Sequence, residues 1–215
     1  MAECDFCGLS LSTHGLQDVE KMKLSLELKC KSPEVWLETV LADFPSFIRD
    51  HANCERKASA MAMSLVAKYP DREKIMKPLI DTAIEELEHF RDVVAWMEKL
   101  GVPMGQDMQP DSYVNQLIAL VRKGRDEGFI DRLCLGSIIE CRGAERFRMV
   151  EEALTEPEIK RFYKILWASE AKHGNIFVEM ALEYFPSEVV YARLEELLEA
   201  ESEIVKNLPL KAALH

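Results

Sequence analysis

The chain has 215 residues, 48% of them hydrophobic, enough to bury the core of one substantial domain and too apolar for a disordered tail. Its 27 basic and 38 acidic side chains leave a net charge of -11, which excludes a protein coated in positive potential for nucleic acid and leaves room only for a local basic patch. With 9 Gly and 9 Pro, and Leu, Glu, Ala and Lys prominent, the composition favours long helices and excludes collagen-like and low-complexity classes.

Residues 1–32 carry no sustained periodicity and are expected to form a flexible N-terminal extension. They contain Cys4-x-x-Cys7, with His14 and Cys30 downstream, but not the spacing of a zinc finger. Ser32-Pro33-Glu34 reads as an N-cap followed by Pro at the first helical position, so the folded domain is expected to span 33–215. Ile48, Ala52, Ala58, Ala62, Leu65 and Tyr69 recur on one face and predict a helix over 47–69, ended by Pro70-Asp71. A second stripe runs from Met76 through Leu79, Ala83, Leu87, Phe90, Val93 and Met97 to Leu100, where Gly101 and Pro103 stop it. Residues 101–110 read as a loop and 111–122 as a shorter helix. Gly124 and Gly128 then lead into a long periodic segment over 130–154. Glu156-Pro157 opens another to 184, and the last helix, 187–206, stops at Pro209. No stretch alternates with strand periodicity, so the expected fold is all-α: a four-helix bundle with extra flanking helices.

No apolar run approaches the roughly 18 residues of a membrane span, and Glu3, Asp5, Asp18 and Glu20 interrupt any signal-peptide core. The expectation is a cytoplasmic protein with no membrane partner. The six cysteines, Cys4, Cys7, Cys30, Cys54, Cys134 and Cys141, are then read as reduced thiols, with Cys54 and Cys141 as small packing residues.

Charged residues stand where the helical stripes call for apolar ones. Glu55 lies between Ala52 and Ala58, Glu86 between Ala83 and Phe90 with His89 three residues on, and Glu140 between Ser137 and Ala144. Glu170 follows Leu166, with His173 three residues on. The spacing repeats: 31 residues separate Glu55 from Glu86 and 30 separate Glu140 from Glu170, while the halves are offset by 84 or 85. Residues three apart share a helix face, so each Glu-x-x-His offers an oxygen and a nitrogen ligand to one point, opposite the lone Glu of the neighbouring helix. A single Glu-x-x-His is more often a solvated helix face; two in matched phase with two inward glutamates point to metal. Four unpaired carboxylates inside a bundle would cost several kcal/mol each, whereas two divalent ions balance them. Mixed carboxylate and imidazole ligation without Cys suits iron or manganese better than structural zinc. Of Glu85, Glu86 and Glu88, only Glu86 has the three-residue spacing to His89. His51, one turn before Glu55, reads as a supporting or core histidine.

Asp50-His51-Ala52-Asn53-Cys54-Glu55-Arg56-Lys57-Ala58, Glu85-Glu86-Leu87-Glu88-His89-Phe90, Ile139-Glu140-Cys141-Arg142 with Glu145-Arg146-Phe147, Ser169-Glu170-Ala171-Lys172-His173, and the closing Leu208-Pro209 with Ala212-Ala213-Leu214-His215 resemble the tRNA 2-methylthio-isopentenyl-adenosine hydroxylases. The resemblance runs from about Pro33 to the C-terminus. It implies a ferritin-like fold and a di-iron centre on Glu55, Glu86, His89, Glu140, Glu170 and His173. It also implies hydroxylation, with O2 as co-substrate, of the isopentenyl group beside the anticodon in the tRNA anticodon stem-loop. One turnover needs two external electrons, and the sequence has no flavin fingerprint or full iron–sulfur cysteine set, so a separate reductase or ferredoxin-like donor is expected. Candidate tRNA contacts are Arg56 and Lys57, the cluster Arg142, Arg146 and Arg148, and the clusters Arg122-Lys123-Arg125 and Lys160-Arg161-Lys164. Some of these are expected to converge at the mouth of the iron site. The competing reading on the same fold is peroxide handling, by a rubrerythrin-like peroxidase or a manganese catalase.

Overall fold

A computed structural model of the protein describes residues 26–105 and 111–215. The expectations placed on Cys4, Cys7 and His14, and on the second half of the 101–110 loop, lie outside the described residues. Those residues contain seven α-helices and no strand: α1 (Glu34–Ala42), α2 (Phe44–Lys68), α3 (Met76–Leu100), α4 (Ser112–Ala119), α5 (Arg125–Ala153), α6 (Pro157–Leu182) and α7 (Ser187–Asn207). None is long and apolar enough to cross a membrane.

Local chemistry sets the helix ends. Asp43 accepts a hydrogen bond from the Ser46 backbone N–H at 3.2 Å and Pro45 occupies the first turn, so α2 starts three residues before the stripe that predicts it. Gly101, at φ 67°, closes α3 in the left-handed conformation. Asp111 caps α4 through Val114 N–H at 2.9 Å, and Glu156 caps α6 through Ile159 N–H at 2.9 Å. Helix α5 begins at Arg125 rather than Ile130, taking Gly128 into its first turns. A Cβ on Gly128 would stand 2.9 Å from the Arg122 carbonyl, so this glycine lets the chain double back against α5.

Two antiparallel hairpins, α2–α3 and α5–α6, make the bundle, and α7 packs across α5. The four long helices have 25, 25, 29 and 26 residues, so each spans about 38–44 Å. Helix α5 is buried on most of its circumference, as a central helix must be. One apolar core gathers around Phe129, Leu133, Phe177 and Leu197, and a second around Trp36, Phe47, Phe147 and Tyr163. Glu140 lies on α5 seven residues from both Leu133 and Phe147, and Glu170 on α6 seven residues from both Tyr163 and Phe177. The inward carboxylates therefore sit between the two cores.

The folded part begins before Pro33. Leu26, Leu28 and Cys30 pack against the first core. Ser32 is not an N-cap; the position before α1 is Pro33, without a side-chain cap. The Ser32 N–H and hydroxyl instead donate to Glu145 at 2.7 and 2.8 Å, which pins residues 30–32 to α5.

Candidate metal centre

Helix α2 contributes Glu55, α3 Glu86 and His89, α5 Glu140, and α6 Glu170 and His173. The structure brings all six together; the four carboxylates and His173 are buried, and His89 has only 14% of its side chain exposed. They form two overlapping groups, Glu55, Glu86, His89 and Glu170 in one and Glu86, Glu140, Glu170 and His173 in the other. Within each group one donor atom per residue lies within 4.8 Å of all the others. Glu86 and Glu170 belong to both groups, a sharing that the linear spacing did not disclose.

His89 Nδ1 stands 3.7 Å from Glu55 Oε2, 3.4 Å from Glu86 Oε2 and 3.3 Å from Glu170 Oε1. His173 Nδ1 is 2.7 Å from Glu86 Oε1 and 3.3 Å from Glu170 Oε2. Despite these close approaches, both Glu86 oxygens, Glu170 Oε1 and His89 Nδ1 are buried without a properly directed hydrogen bond. Donor atoms aimed at common points but left unsatisfied by one another fit metal coordination.

The electrostatics agree. Burial, then the neighbouring Glu170, pushes Glu55 up and Glu86 up to about 7. Burial, then Glu86 and Glu170, holds Glu140 well above the usual carboxylate range. Burial opposes the charge on Glu170 as well, but the approach of His173 and His89, each 3.3 Å from one of its oxygens, outweighs it and keeps that carboxyl well below. Burial likewise works against a charged His173, yet its contacts with Glu170 and Glu86 raise it to about 10. Without metal the cluster must therefore keep protons that divalent ions would replace.

Two further residues hold this set in place. His173 Nε2 donates to Glu85 Oε2 at 2.9 Å, turning Nδ1 towards Glu86 and Glu170, and Lys172 Nζ holds both Glu85 oxygens at 3.2 Å. Sequence reasoning passed over Glu85 because its spacing to His89 is wrong; its position opposite a histidine of the other hairpin is visible only in the fold. His51, buried and held neutral by a pKa near 3, donates from Nε2 to Glu55 Oε1 at 2.6 Å and accepts from the Tyr163 hydroxyl at 3.2 Å. It is a supporting histidine, as its place one turn before Glu55 suggested.

A narrow cleft of about 90 Å3 descends to Glu55, Glu140 and Glu170 between apolar walls that include Ala58, Met61 and Phe147. Lys57, Asp111 and His215 also line it. Asp111 Oδ2 is 3.9 Å from Lys57 Nζ and 3.8 Å from His215 Nδ1.

The basic residues singled out from the sequence do not converge there. Lys57 alone among them lines this cleft. Arg142, expected to meet tRNA, is fully buried and bound to Glu201 at 2.8 Å and Glu145 at 2.6 Å. Arg146 is also buried, donating to the Ser32 hydroxyl at 3.0 Å and to the Leu214 carbonyl, so neither presents a guanidinium to the surface. Arg122 is taken up by Asp131, Arg125 by Asp71, Arg148 by Glu152, and the Lys160 ammonium by the Glu151 carbonyl.

The family model described as tRNA-(MS[2]IO[6]A)-hydroxylase (MiaE) matches residues 19–215. The chain belongs to this family. The match begins ahead of Pro33, where the sequence motifs alone placed its start, in keeping with the packing of residues 26–32. The tRNA 2-(methylsulfanyl)-N(6)-isopentenyladenosine(37) hydroxylase of Pseudomonas putida strain KT2440 is 35% identical over 189 residues, covering 87% of this chain and 91% of that protein. The enzyme of the same name from Salmonella typhimurium strain LT2 is 25% identical, with 83% of each chain covered. Among solved structures, protein 43 with aldehyde deformylating oxygenase activity from Synechococcus superposes with a TM-score of 0.83 at 28% identity, covering 87% of this chain and 94% of its own. The bundle is thus the ferritin-like architecture expected from the sequence.

Proposed function

We propose that the protein hydroxylates the isopentenyl group of 2-methylthio-N6-isopentenyladenosine, next to the anticodon in tRNA. Two iron ions would serve as cofactor, and Glu55, Glu86, His89, Glu140, Glu170 and His173 would hold them. The observation that carries this reading is the narrow apolar cleft ending on Glu55, Glu140 and Glu170, in a chain of the MiaE family.

Bound iron supplies the activation of O2 and the transfer of one oxygen atom into a carbon–hydrogen bond. The protein's own residues do the rest. Four carboxylates balance the charge of two divalent ions, Glu85 fixes the ring of His173, and neutral His51 orients Glu55. The cleft walls admit a slender alkenyl branch while excluding water, and its narrowness keeps the purine ring at the mouth. Overall, the substrate C–H becomes C–OH and the second oxygen atom leaves as water. That balance consumes one O2, two electrons and two protons. The electrons come from a separate reductase or ferredoxin-like donor, because the cysteine spacing provides no iron–sulfur set. The reaction belongs in the cytoplasm, where tRNA is modified.

The test is expression in a host that makes the isopentenylated nucleoside but lacks the hydroxylase, followed by mass spectrometry of digested tRNA. A one-oxygen mass increase on that nucleoside is expected, and its loss in Glu86→Ala. No increase, with iron bound and reductant supplied, would overturn the reading.

A further inference from the structure

We propose that a second cleft, lined by Lys31, Trp36, Arg146, Lys206, Lys211 and His215, seats the sugar–phosphate backbone of the tRNA anticodon arm. This inference rests on tRNA being the substrate.

In a chain of net charge -11, this cleft of about 470 Å3 has four Lys and Arg side chains in its lining and no Asp or Glu. Among the described residues, Lys31 and Lys211 are exposed and form no ion pair with a carboxylate; Lys206 pairs with Glu203 at 2.7 Å. Arg146 lies at the floor over the Trp36 ring, 4.8 Å from its centroid, with no carboxylate partner. Burial, then the neighbouring Arg142, pulls its guanidinium down to about 10, and the nearby charges of Glu145 and Glu201 offset this only in part. The exposed Lys31 and Lys211 ammoniums can meet phosphates there, and contacts of this kind fix register on a nucleic acid without reading sequence.

Position favours this cleft over the other basic cleft, which contains Lys68, Lys123 and Arg132. His215 lines both it and the metal cleft, forming a wall common to the two. Its side chain is 5% exposed and its Nε2 is buried without a hydrogen-bond partner. Arg146 lies six residues beyond Glu140 on α5, about 9 Å along the helix. A backbone held at Lys31 and Lys211 can therefore pass a modified base across His215 towards the carboxylates. The cleft containing Lys68 and Lys123 shares no lining residue with the metal cleft, and its nearest residue on α5, Arg132, is eight residues from Glu140, about 12 Å along the helix.

The test compares Lys31→Ala/Lys211→Ala with Lys68→Ala/Lys123→Ala in the iron-loaded, full-length protein. Affinity for an anticodon stem-loop RNA carrying the modified nucleoside is measured by fluorescence anisotropy across a KCl series. For the first pair, the slope of log K against log salt should flatten by about 1.4–1.8, the loss of two phosphate contacts; the second pair should match wild type. An unchanged slope in the first pair, or loss confined to the second, overturns the assignment. If the wild-type protein neither binds nor hydroxylates the RNA, the substrate reading falls and the cleft assignment with it.

Discussion

Replacing Glu85 tests how the structure sets the metal geometry. Its carboxylate accepts from His173 Nε2 at 2.9 Å, so Nδ1, which faces Glu86 and Glu170, is the ring nitrogen left to take a metal once its proton is lost. Removing the partner of a ligating histidine costs about 10–100-fold in metal affinity. Glu85 is 35% exposed and shared with Lys172, so solvent screens its charge and the loss in Glu85→Ala should fall near the lower end, about 10-fold. Glu85→Gln, which keeps a carbonyl acceptor without the charge, should fall between Glu85→Ala and wild type. The assay is anaerobic Fe(II) titration against a competing chelator, with Glu88→Ala as the control on the same helical turn. Wild-type affinity in Glu85→Ala, or an equal loss in Glu88→Ala, would refute the reasoning.

Gly174 abuts Cys141 so closely that a Cβ would stand 2.5 Å from the sulfur. Gly174→Ala should therefore lower stability in urea by about 1–3 kcal/mol. Cys141→Ala in the same chain should recover most of that loss, and simple additivity would contradict the contact. In the apoprotein, Glu86 rises to about 7 and His173 to about 10, so between pH 4.5 and 10 the folded state holds more protons than the unfolded one. Apoprotein stability should then fall as pH rises through that window. The Tm increment from added Mn(II) should be larger at pH 8 than at pH 5.5; a constant or shrinking increment in calorimetry would contradict this. Arg142→Ala strands Glu201 in the interior and should cost about 3–5 kcal/mol while leaving RNA affinity unchanged in the folded fraction. Weaker RNA binding at wild-type stability would return Arg142 to the interface.

The helices and the inward carboxylates were legible because their signals are local. Pro, Gly and Asp mark the ends of α2, α3 and α6, and Glu-x-x-His places two donors on one face whatever the surroundings. The sharing of Glu86 and Glu170 was not legible, since it depends on how the two hairpins are rotated against each other. Arg142 and Arg146 looked like surface cations because a charged residue on a helix is normally solvated. Their burial depends on Glu201 and Leu214, more than fifty residues away in sequence. Residues 26–32 escaped notice because a segment pinned by side-chain hydrogen bonds has no periodicity to read. The same distance effect hid the basic cleft, whose cations Lys31, Arg146, Lys206 and Lys211 are scattered along the chain.

The most direct test of the proposed two-iron centre is anomalous diffraction at the iron edge from crystals of the iron-loaded protein. The account predicts two peaks about 3.5–4 Å apart, one among Glu55, Glu86, His89 and Glu170 and the other among Glu86, Glu140, Glu170 and His173. A single peak, or iron confined to Cys54, Asp111 and His215, would contradict it.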